Sequence, residues 1–552
     1  WGPNEERGLY KTNDGGKTWK KILHVDDKTG CVEVKMHPKN PDTLIVAMYE
    51  RQRDGFDTND PAKRWGSGSG IYKTTDGGEN WTKLEEGLPT RPLGRVGISY
   101  YKNNPDIVYA IIETDKIGDG SAVAFMGISG GNRVKEALIQ NVTKDGPSDK
   151  AGIKTGDIIL QVAEKKVENY NDLILAIRAR KPKEKVKIKL KREEEELEVE
   201  LTFGQRGGAS GRPFTSYLGG QRANAMKEQG KVGNETGGVY RSEDGGETWK
   251  RVNSLNPRPF YYSQIFVDPS DDKRVYVLGI QFHVSTDGGK TFKNGGSRVH
   301  PDHHALWVDP RDGRHLILGC DGGLYITHDR GGAWDFHNIM DIGQFYDVGV
   351  DTRAPYWVYG GLQDNGSWGA PSRKRGNTGP LNSDWLRIGG GDGFVCRADP
   401  NDPLTVYSEM QGGRIWRVNI KTGTRYTLRP PGRELRFNWK TPFALSHHNS
   451  RIFYCAGNFV FRSLNRGENL KRISPSISRT ERGAATSFSE SPRNADVLWV
   501  GSDDGALWIT RDGGKEWKNI AEKVGLPKPF HVASLEASRF AEGRAYVAFD
   551  GH

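Results

Sequence analysis

The stretch TNDGGKTW at residues 12–19 combines an acid, a pair of glycines and a final aromatic residue, and it recurs along the chain. We call each copy a box. Recurrence of one short pattern over a chain of 552 residues predicts a repeat architecture. Close copies are TTDGGENW from 74, SEDGGETW from 242, STDGGKTF from 285, THDRGGAW from 327 and TRDGGKEW from 510, with a weaker copy, SLNRGENL, from 463.

A second pattern precedes most boxes. A strand-like segment ends in an Asp-Pro or similar turn and a short β-rich run follows, as in IFVDPSDDKRVYVLG at 265–279 and LWVDPRDGRHLILG at 306–319. A third strand then leads into the box and a fourth strand follows it. Four short antiparallel strands per unit (strands A to D), repeated along the chain, predict an all-β fold built of β-propeller blades.

In this unit the box is the hairpin between strands C and D. Its aspartate can accept backbone N–H bonds within the turn, and its glycines allow positive φ. Its aromatic residue can be buried between neighbouring blades. We therefore interpret the repeated aspartates as structural rather than catalytic; they are Asp14, Asp76, Asp244, Asp287, Asp329 and Asp512.

The boxes resemble the Asp-box repeats of the bacterial neuraminidase type, and the chain is similar to larger Asp-box proteins with tandem seven-bladed propellers. The resemblance implies a first propeller formed by residues 1–120 and 206–340 and a second formed by 341–552. Because the chain opens in a strand C and closes in a strand B, we expect it to be the middle of a longer protein.

Residues 121–205 interrupt a blade between its strands B and C. The motifs FMGI (125–128), GPSDKAGIKTGDIIL (146–160) and VENYNDLILAI (167–177) resemble a PDZ domain of the bacterial HtrA-protease type. The resemblance implies an α+β module that captures a peptide C-terminus; a mere spacer is the alternative. The implied loop and groove edge is Phe125, Met126, Gly127 and Ile128, and the implied groove wall is Leu173 and Ile177. A glycine-rich linker, 204–236, returns to the propeller.

Bulk properties exclude several classes of protein. No apolar run is long enough for a transmembrane helix. Lys and Arg give a net charge of +10 but are spread along the chain, so we do not expect nucleic-acid binding. We predict no cofactor and no metal. The four cysteines, Cys31, Cys320, Cys396 and Cys455, are too scattered for a disulfide framework.

The antiparallel order places A–B turns and boxes on one face of a propeller, and B–C turns and D–A loops on the other, the loop face. The less repetitive residues belong to the loop face, which makes it the expected ligand surface. For the acids in glycine turns, capping of the turn is the alternative. The candidates are Asp302, His303, His304, Asp321, Asp364, Trp368, Asp392 and Asp504.

Asp-box families span catalysis and pure binding, so the fold does not choose between them. We see no arginine cluster with a tyrosine nucleophile, which argues against a sialidase. We favour a secreted or cell-envelope scaffold that binds protein or peptide, because an HtrA-like PDZ module suits extracytoplasmic work. The alternative is an inverting glycoside hydrolase acting on a polysaccharide in the cleft expected between the two propellers, with Asp392 and Asp364 as candidate catalytic acids.

Overall fold

The computed structural model describes residues 2–53, 61–116, 123–130, 136–206, 220–229, 233–340, 342–432 and 434–551. Residues 207–219 and 230–232 of the predicted linker lie outside this part of the chain, as do the predicted domain boundaries at 120–121 and at 341. None of the described helices is both long and apolar enough to cross a bilayer.

Antiparallel strands dominate the described residues, which contain eight four-stranded sheets of the propeller-blade type. We number these sheets blades 1 to 8 in chain order. The predicted all-β fold with an inserted α+β module is confirmed. Blade 1 is Thr29–His37, Asn40–Glu50, Gly70–Thr74 and Thr82–Leu84; blade 2 is Leu93–Tyr100, Val108–Thr114, Gly238–Ser242 and Lys250–Asn253; blade 3 is Gln264–Asp268, Asp271–Leu278, His283–Ser285 and Lys293–Asn294; blade 4 is His303–Val308, Leu316–Cys320, Gly323–Thr327 and Asp335–His337.

The remaining blades repeat the same order of strands. Blade 5 is Phe345–Val350, Trp357–Leu362, Gly366–Pro371 and Leu386–Gly389; blade 6 is Gly393–Asp399, Asp402–Met410, Arg414–Asn419 and Arg425–Leu428; blade 7 is Phe443–Leu445, Phe453–Ala456, Val460–Ser463 and Lys471–Arg472; blade 8 is Ala485–Ser491, Asn494–Ser502, Leu507–Thr510 and Lys518–Asn519. Two-stranded sheets precede and follow them, Leu9–Lys11 with Lys20–Leu23 and His531–Ala537 with Ala545–Asp550.

Two compact units divide the chain. The first takes in the described residues up to Cys320 together with Leu324–Phe336, and the second takes in Asp321–Gly323 and the described residues from His337 onward. Within each unit, the first strand of one blade packs beside the first strand of the next, as Phe345–Val350 does with Gly393–Asp399. This radial order is the one that a propeller requires.

The inserted module leaves blade 2 after its second strand and returns at its third. Gly238–Ser242 pairs with Val108–Thr114, so the blade closes around the insertion. The module has its own core beneath two helices, Pro147–Lys150 and Tyr170–Arg178. Its strands are Val123–Phe125, Ile128–Ser129, Asn141–Val142, Ile158–Val162, Lys165–Lys166, Lys185–Arg192, Glu195–Thr202 and Gly204–Arg206.

Each of the six boxes with an aspartate folds as a turn held by that residue. In the first box the Thr18 amide and hydroxyl donate to Asp14 at 2.9 and 2.6 Å, and the Thr12 hydroxyl donates at 2.8 Å. These hydrogen bonds lower the pKa of Asp14 to about 2. The same two kinds of donor, an amide four residues later and a hydroxyl two residues earlier, serve Asp76, Asp244, Asp287, Asp329 and Asp512.

A basic residue near the end of strand C joins each of several blades to the box of the next. Lys73 Nζ donates to the carbonyl of Gly245 at 2.9 Å, while the Gly245 amide donates to Asp106 in its own blade at 2.8 Å. One box turn is therefore fixed to two sheets. Equivalent donors are Lys11 to Gly77, Arg417 to Arg466 and Arg462 to Gly513.

The box tryptophans differ widely in burial, which allows a matched test. Trp249 is 5% exposed and packs with Ile45 of blade 1 and Tyr240 of blade 2, whereas Trp19 is 60% exposed. We expect Trp249→Ala to lower the free energy of unfolding by about 3–5 kcal/mol, as for other buried aromatic residues. Trp19→Ala should cost less than about 1 kcal/mol.

Urea unfolding followed by far-ultraviolet circular dichroism measures both variants. Each indole N–H donates to a box glycine carbonyl, at 3.2 Å for Trp19 and 2.8 Å for Trp249, so the pair differs mainly in packing. Equal losses of stability in the two variants would contradict the assignment of the box aromatic to the space between blades.

Candidate functional site

The loop at Met126 and Gly127 in the inserted module presents backbone donors. The Met126 and Gly127 carbonyls accept hydrogen bonds from Ser148 and Thr143 at 2.9 and 2.7 Å, which holds the loop in place. Their own N–H groups donate to nothing within the described part of the chain. Gly127 has φ of +79°, a conformation that favours glycine. Adjacent free amides of this kind suit a carboxylate.

The strand that follows the loop is paired along only one of its edges. Ile128–Ser129 pairs with Asn141–Val142, and in the described residues this small sheet has no further strand. Phe125 and Ile128 are half-buried beside the loop, whereas Met126 is buried, so Met126 contributes its backbone rather than its side chain.

The helix residues predicted for the groove wall need correction. Leu173 is fully buried in the core of the module and Ile177 nearly so, so Leu173 cannot line an open groove. Tyr170, which lies against Gly130, and Ile174 are half-buried and four residues apart on one helix face. The i, i+4 spacing in the sequence could have identified them.

The predicted loop-face residues of the first unit are held by neighbouring side chains. The Tyr262 hydroxyl donates to Asp302, and the exposed His304 lies edge-on to Tyr261 with ring centroids 5.4 Å apart. His303 is buried with Nδ1 at 2.9 Å from the Gly279 carbonyl. Burial lowers the pKa of His303, so its imidazole is neutral at physiological pH.

In the second unit the two predicted catalytic acids lie in contact. The Asp364 amide donates to Asp392 Oδ1 at 2.7 Å, and Gln411 accepts from the Asp392 amide at 3.1 Å. Asp392 is 5% exposed. Burial, the neighbouring Asp392 and then Asp321 raise the pKa of Asp364 to about 8. Asp364 is therefore mostly protonated at neutral pH and can donate to Asp392.

This geometry limits the chemistry of the pair. An inverting glycosidase separates its two carboxyl groups by about 6.5–9.5 Å, which leaves room for the attacking water. Asp364 and Asp392 instead lie side by side: the Asp364 backbone amide donates to Asp392 Oδ1 at 2.7 Å, and the two side chains are hydrogen-bonded. The neighbouring carboxylate disfavours ionisation of Asp364, which is why its pKa lies above the usual range.

The other predicted residues of the second unit serve turns. The Trp368 indole donates to the Asn365 backbone carbonyl at 2.7 Å, and the Asn365 side-chain amide donates to the Asp321 backbone carbonyl at 2.7 Å. Asp504 accepts from Arg479, Thr480 and Ser502. Asp504 therefore caps turns, which is the alternative that the sequence analysis gave for the acids in glycine turns.

A charge network on the first strands of the second unit was not apparent from the sequence. Asp347 Oδ1 lies 2.8 Å from Arg397 Nη1, and its Oδ2 lies 3.3 Å from Lys440 Nζ. These residues belong to blade 5, blade 6 and the approach to blade 7. No motif marks them, because their proximity arises from the order of blades rather than from spacing along the chain.

The carboxyl pair predicts a pH-dependent stability. The pKa of Asp364 is raised in the folded state, so its favourable contribution is complete below about pH 4 and is lost as pH rises toward 8. Asp364→Asn removes the titration, and asparagine tolerates the φ of +58° at this position. We expect the variant to gain stability relative to the parent chain as pH rises from 5 to 9.

Thermal unfolding of both chains across this pH range measures the effect, which corresponds to a few kcal/mol for a shift of this size. Asp392→Asn should flatten the pH dependence only in part, because it removes the neighbouring charge but leaves Asp364 buried. A difference between parent and Asp364→Asn that stays constant from pH 5 to 9 would contradict the raised pKa of Asp364.

Comparison with known families finds two similar stretches. Residues 124–203 match the family model described as PDZ domain, and residues 237–345 match the sortilin model, described as sortilin, neurotensin receptor 3. Neither match covers half of the chain. No curated protein matches the sequence.

Among solved structures, similar chains include a GH74 enzyme from Niastella koreensis and a GH74 xyloglucanase from Xanthomonas campestris, at 13% and 12% identity. Each alignment covers 99% of this chain and 94% of the other, with a TM-score of 0.28. An ancestral GH74 enzyme shares 13% identity over 98% of this chain and 76% of its own, with a TM-score of 0.32. Scores this low transfer no activity. The chain is thus similar to PDZ domains over its inserted module and to sortilin-type propellers over residues 237–345.

Proposed function

We propose that this protein is an extracytoplasmic β-propeller scaffold that binds protein or peptide partners, with its inserted module as a receptor for peptide C-termini. The observation that carries the proposal is a pair of backbone N–H groups, those of Met126 and Gly127, that donate no hydrogen bond within the described part of the chain. They lie beside the half-buried Phe125 and Ile128. A peptide would place its carboxylate on the amides, its apolar last side chain against Phe125 and Ile128, and its backbone along Ile128–Ser129.

We further propose that the boxes belong to the Asp-box family and that the two compact units are parts of two consecutive propellers. The match of residues 237–345 to sortilin and the six equivalent aspartate turns support this assignment. Such a scaffold would use the boxes for stability and its loop face for partners. The proposed boundaries are 1–120 with 206–340 for the first propeller, 121–205 for the inserted module and 341–552 for the second.

A second candidate is a glycoside hydrolase acting on a polysaccharide. The raised pKa of Asp364 favours it, since a general acid must be protonated near neutral pH. The contact between Asp364 and Asp392 opposes it, because hydrogen-bonded carboxyl groups lie closer together than the about 6.5–9.5 Å that an inverting enzyme uses. A screen of soluble polysaccharides for new reducing ends, with Asp392→Asn as control, should detect no hydrolysis that depends on Asp392.

Peptide binding has a direct test. A library of fluorescent peptides with varied apolar C-terminal residues identifies a ligand by fluorescence polarisation. Amidation of the terminal carboxyl of that peptide should weaken binding at least about tenfold, because hydrogen bonds to a charged group contribute about 1.5–3 kcal/mol. Equal affinity of the acid and the amide would refute capture of a C-terminus.

Two glycine variants provide a matched control. Gly127→Ala places a Cβ at φ of +79°, 3.3 Å from Pro147 Cδ, and should distort the loop. Gly152→Ala imposes the same backbone strain at φ of +78°, with no atom within 4 Å of the new Cβ. We expect a similar loss of stability in both variants but a several-fold loss of peptide affinity in Gly127→Ala alone.

A further inference from the structure

A cavity of about 390 Å³ opens in the first unit, and none of its lining residues belongs to the inserted module at 121–205. Its walls come from the loop before blade 3, the turn between Leu278 and His283 in blade 3, residues 292–294 of the same blade, and linker residues 221–223. This volume lies within the range of about 300–1,000 Å³ that is typical of small-molecule sites.

The linker wall is fixed by hydrogen bonds. Asn224 donates its side-chain amide to the Phe292 carbonyl at 3.0 Å and accepts from the Phe292 amide at 3.0 Å and from Asn253 Nδ2 at 2.9 Å. The Gln221 amide donates to the Asn256 carbonyl at 2.7 Å, and the Asn256 amide donates back at 3.1 Å. The return path from the inserted module is thus a structural part of the cavity.

The floor of the cavity is apolar. Leu255 is 1% exposed and Phe292 is 5% exposed, and the half-buried Ile280 completes this surface. Burying an apolar group against such a floor is favourable by about 25 cal/mol per Å². The floor therefore suits an aromatic or branched aliphatic group.

The charges around this floor are all positive. Arg222, Arg258 and Lys293 line the cavity, and no Asp or Glu is among its lining residues, all of which lie in the described part of the chain. The Arg258 guanidinium stacks over the Tyr261 ring at 3.9 Å, which orients it, and burial leaves it only 7% exposed. Lys293 forms no ion pair with a described residue and is exposed at the rim.

A neutral imidazole also lines the cavity. Burial and the nearby His303 lower the pKa of His283 to about 4, so the ring carries no charge at neutral pH. Its side chain makes no hydrogen bond with any residue that the structure describes. The imidazole can therefore donate to or accept from a ligand without losing an existing partner.

We propose that this cavity binds a carboxylate ligand with an aromatic or branched aliphatic body. The apolar body lies on Leu255, Ile280 and Phe292, and the carboxylate faces Arg258 and Lys293. Such an anion belongs either to a small free acid or to the last residue of a peptide. This site is separate from the amides of Met126 and Gly127, so either proposal can fail without the other.

Isothermal titration calorimetry with N-acetyl-L-phenylalanine tests the site. The neutral N-acetyl-L-phenylalanine amide has the same body without the charge, and we expect it to bind at least about tenfold more weakly. Binding that is equal for the acid and the amide would overturn the proposal. Acetyl-Gly-Gly-Phe distinguishes the sources: tighter binding than the single residue indicates a peptide terminus, and weaker binding indicates a small acid.

Four variants locate the binding site, two of them in the cavity and two as controls. Lys293→Met should weaken binding of the acid several-fold and leave binding of the amide unchanged. Lys250→Met makes the same change at an exposed lysine outside the cavity and should alter the affinity for neither compound. Ala223→Leu, which adds volume to the linker wall, should weaken both. Gly127→Ala should have no effect on binding at this cavity. Affinity unaffected by both Lys293→Met and Ala223→Leu, in chains with unchanged circular dichroism, would overturn the proposal.

Discussion

The architecture depends on a turn that is bonded to two sheets at once. In the box around Gly245, the amide holds the A–B hairpin of its own blade and the carbonyl accepts from Lys73 of the blade before it. The turn can do this only because Asp244 bonds the Thr248 amide and hydroxyl and so fixes the peptide groups. Positive φ at Gly245 and Gly246 completes the geometry.

This repeated constraint leaves the other turns free to vary. The inserted module lies between the second and third strands of blade 2, where Val108–Thr114 and Gly238–Ser242 pair as though the insertion were absent. The strand pairing that closes each blade comes from its own strands, so a B–C turn can vary in length without changing that pairing. A folded module, with its own core around Leu173 and Ile188, can therefore be accommodated there.

Aspartate has three different roles in this chain, and its surroundings select the role. Asp14 is an exposed acceptor of turn hydrogen bonds, which lower its pKa to about 2. Asp364 is half-buried beside two other acids, and its pKa is raised to about 8. Asp504 caps a neighbouring turn through the amides of Arg479 and Thr480. Solvation and neighbouring charge, rather than residue type, separate these cases.

The sequence by itself determined the blade pattern, because the box, the Asp-Pro turn and the strand lengths are local and repeat at each blade. It also determined the presence of the inserted module and the place of its candidate binding loop, where Gly127 adopts a positive φ. The tertiary structure alone decided that Leu173 is a core residue, since the helix face that turns inward depends on packing against the module's sheet. It alone brought Asp364 against Asp392, 28 residues away, and placed Asn224 beside Phe292, 68 residues away. These contacts depend on how the loops and strands of neighbouring blades come together, and side-chain spacing along the chain carries no information about that distance.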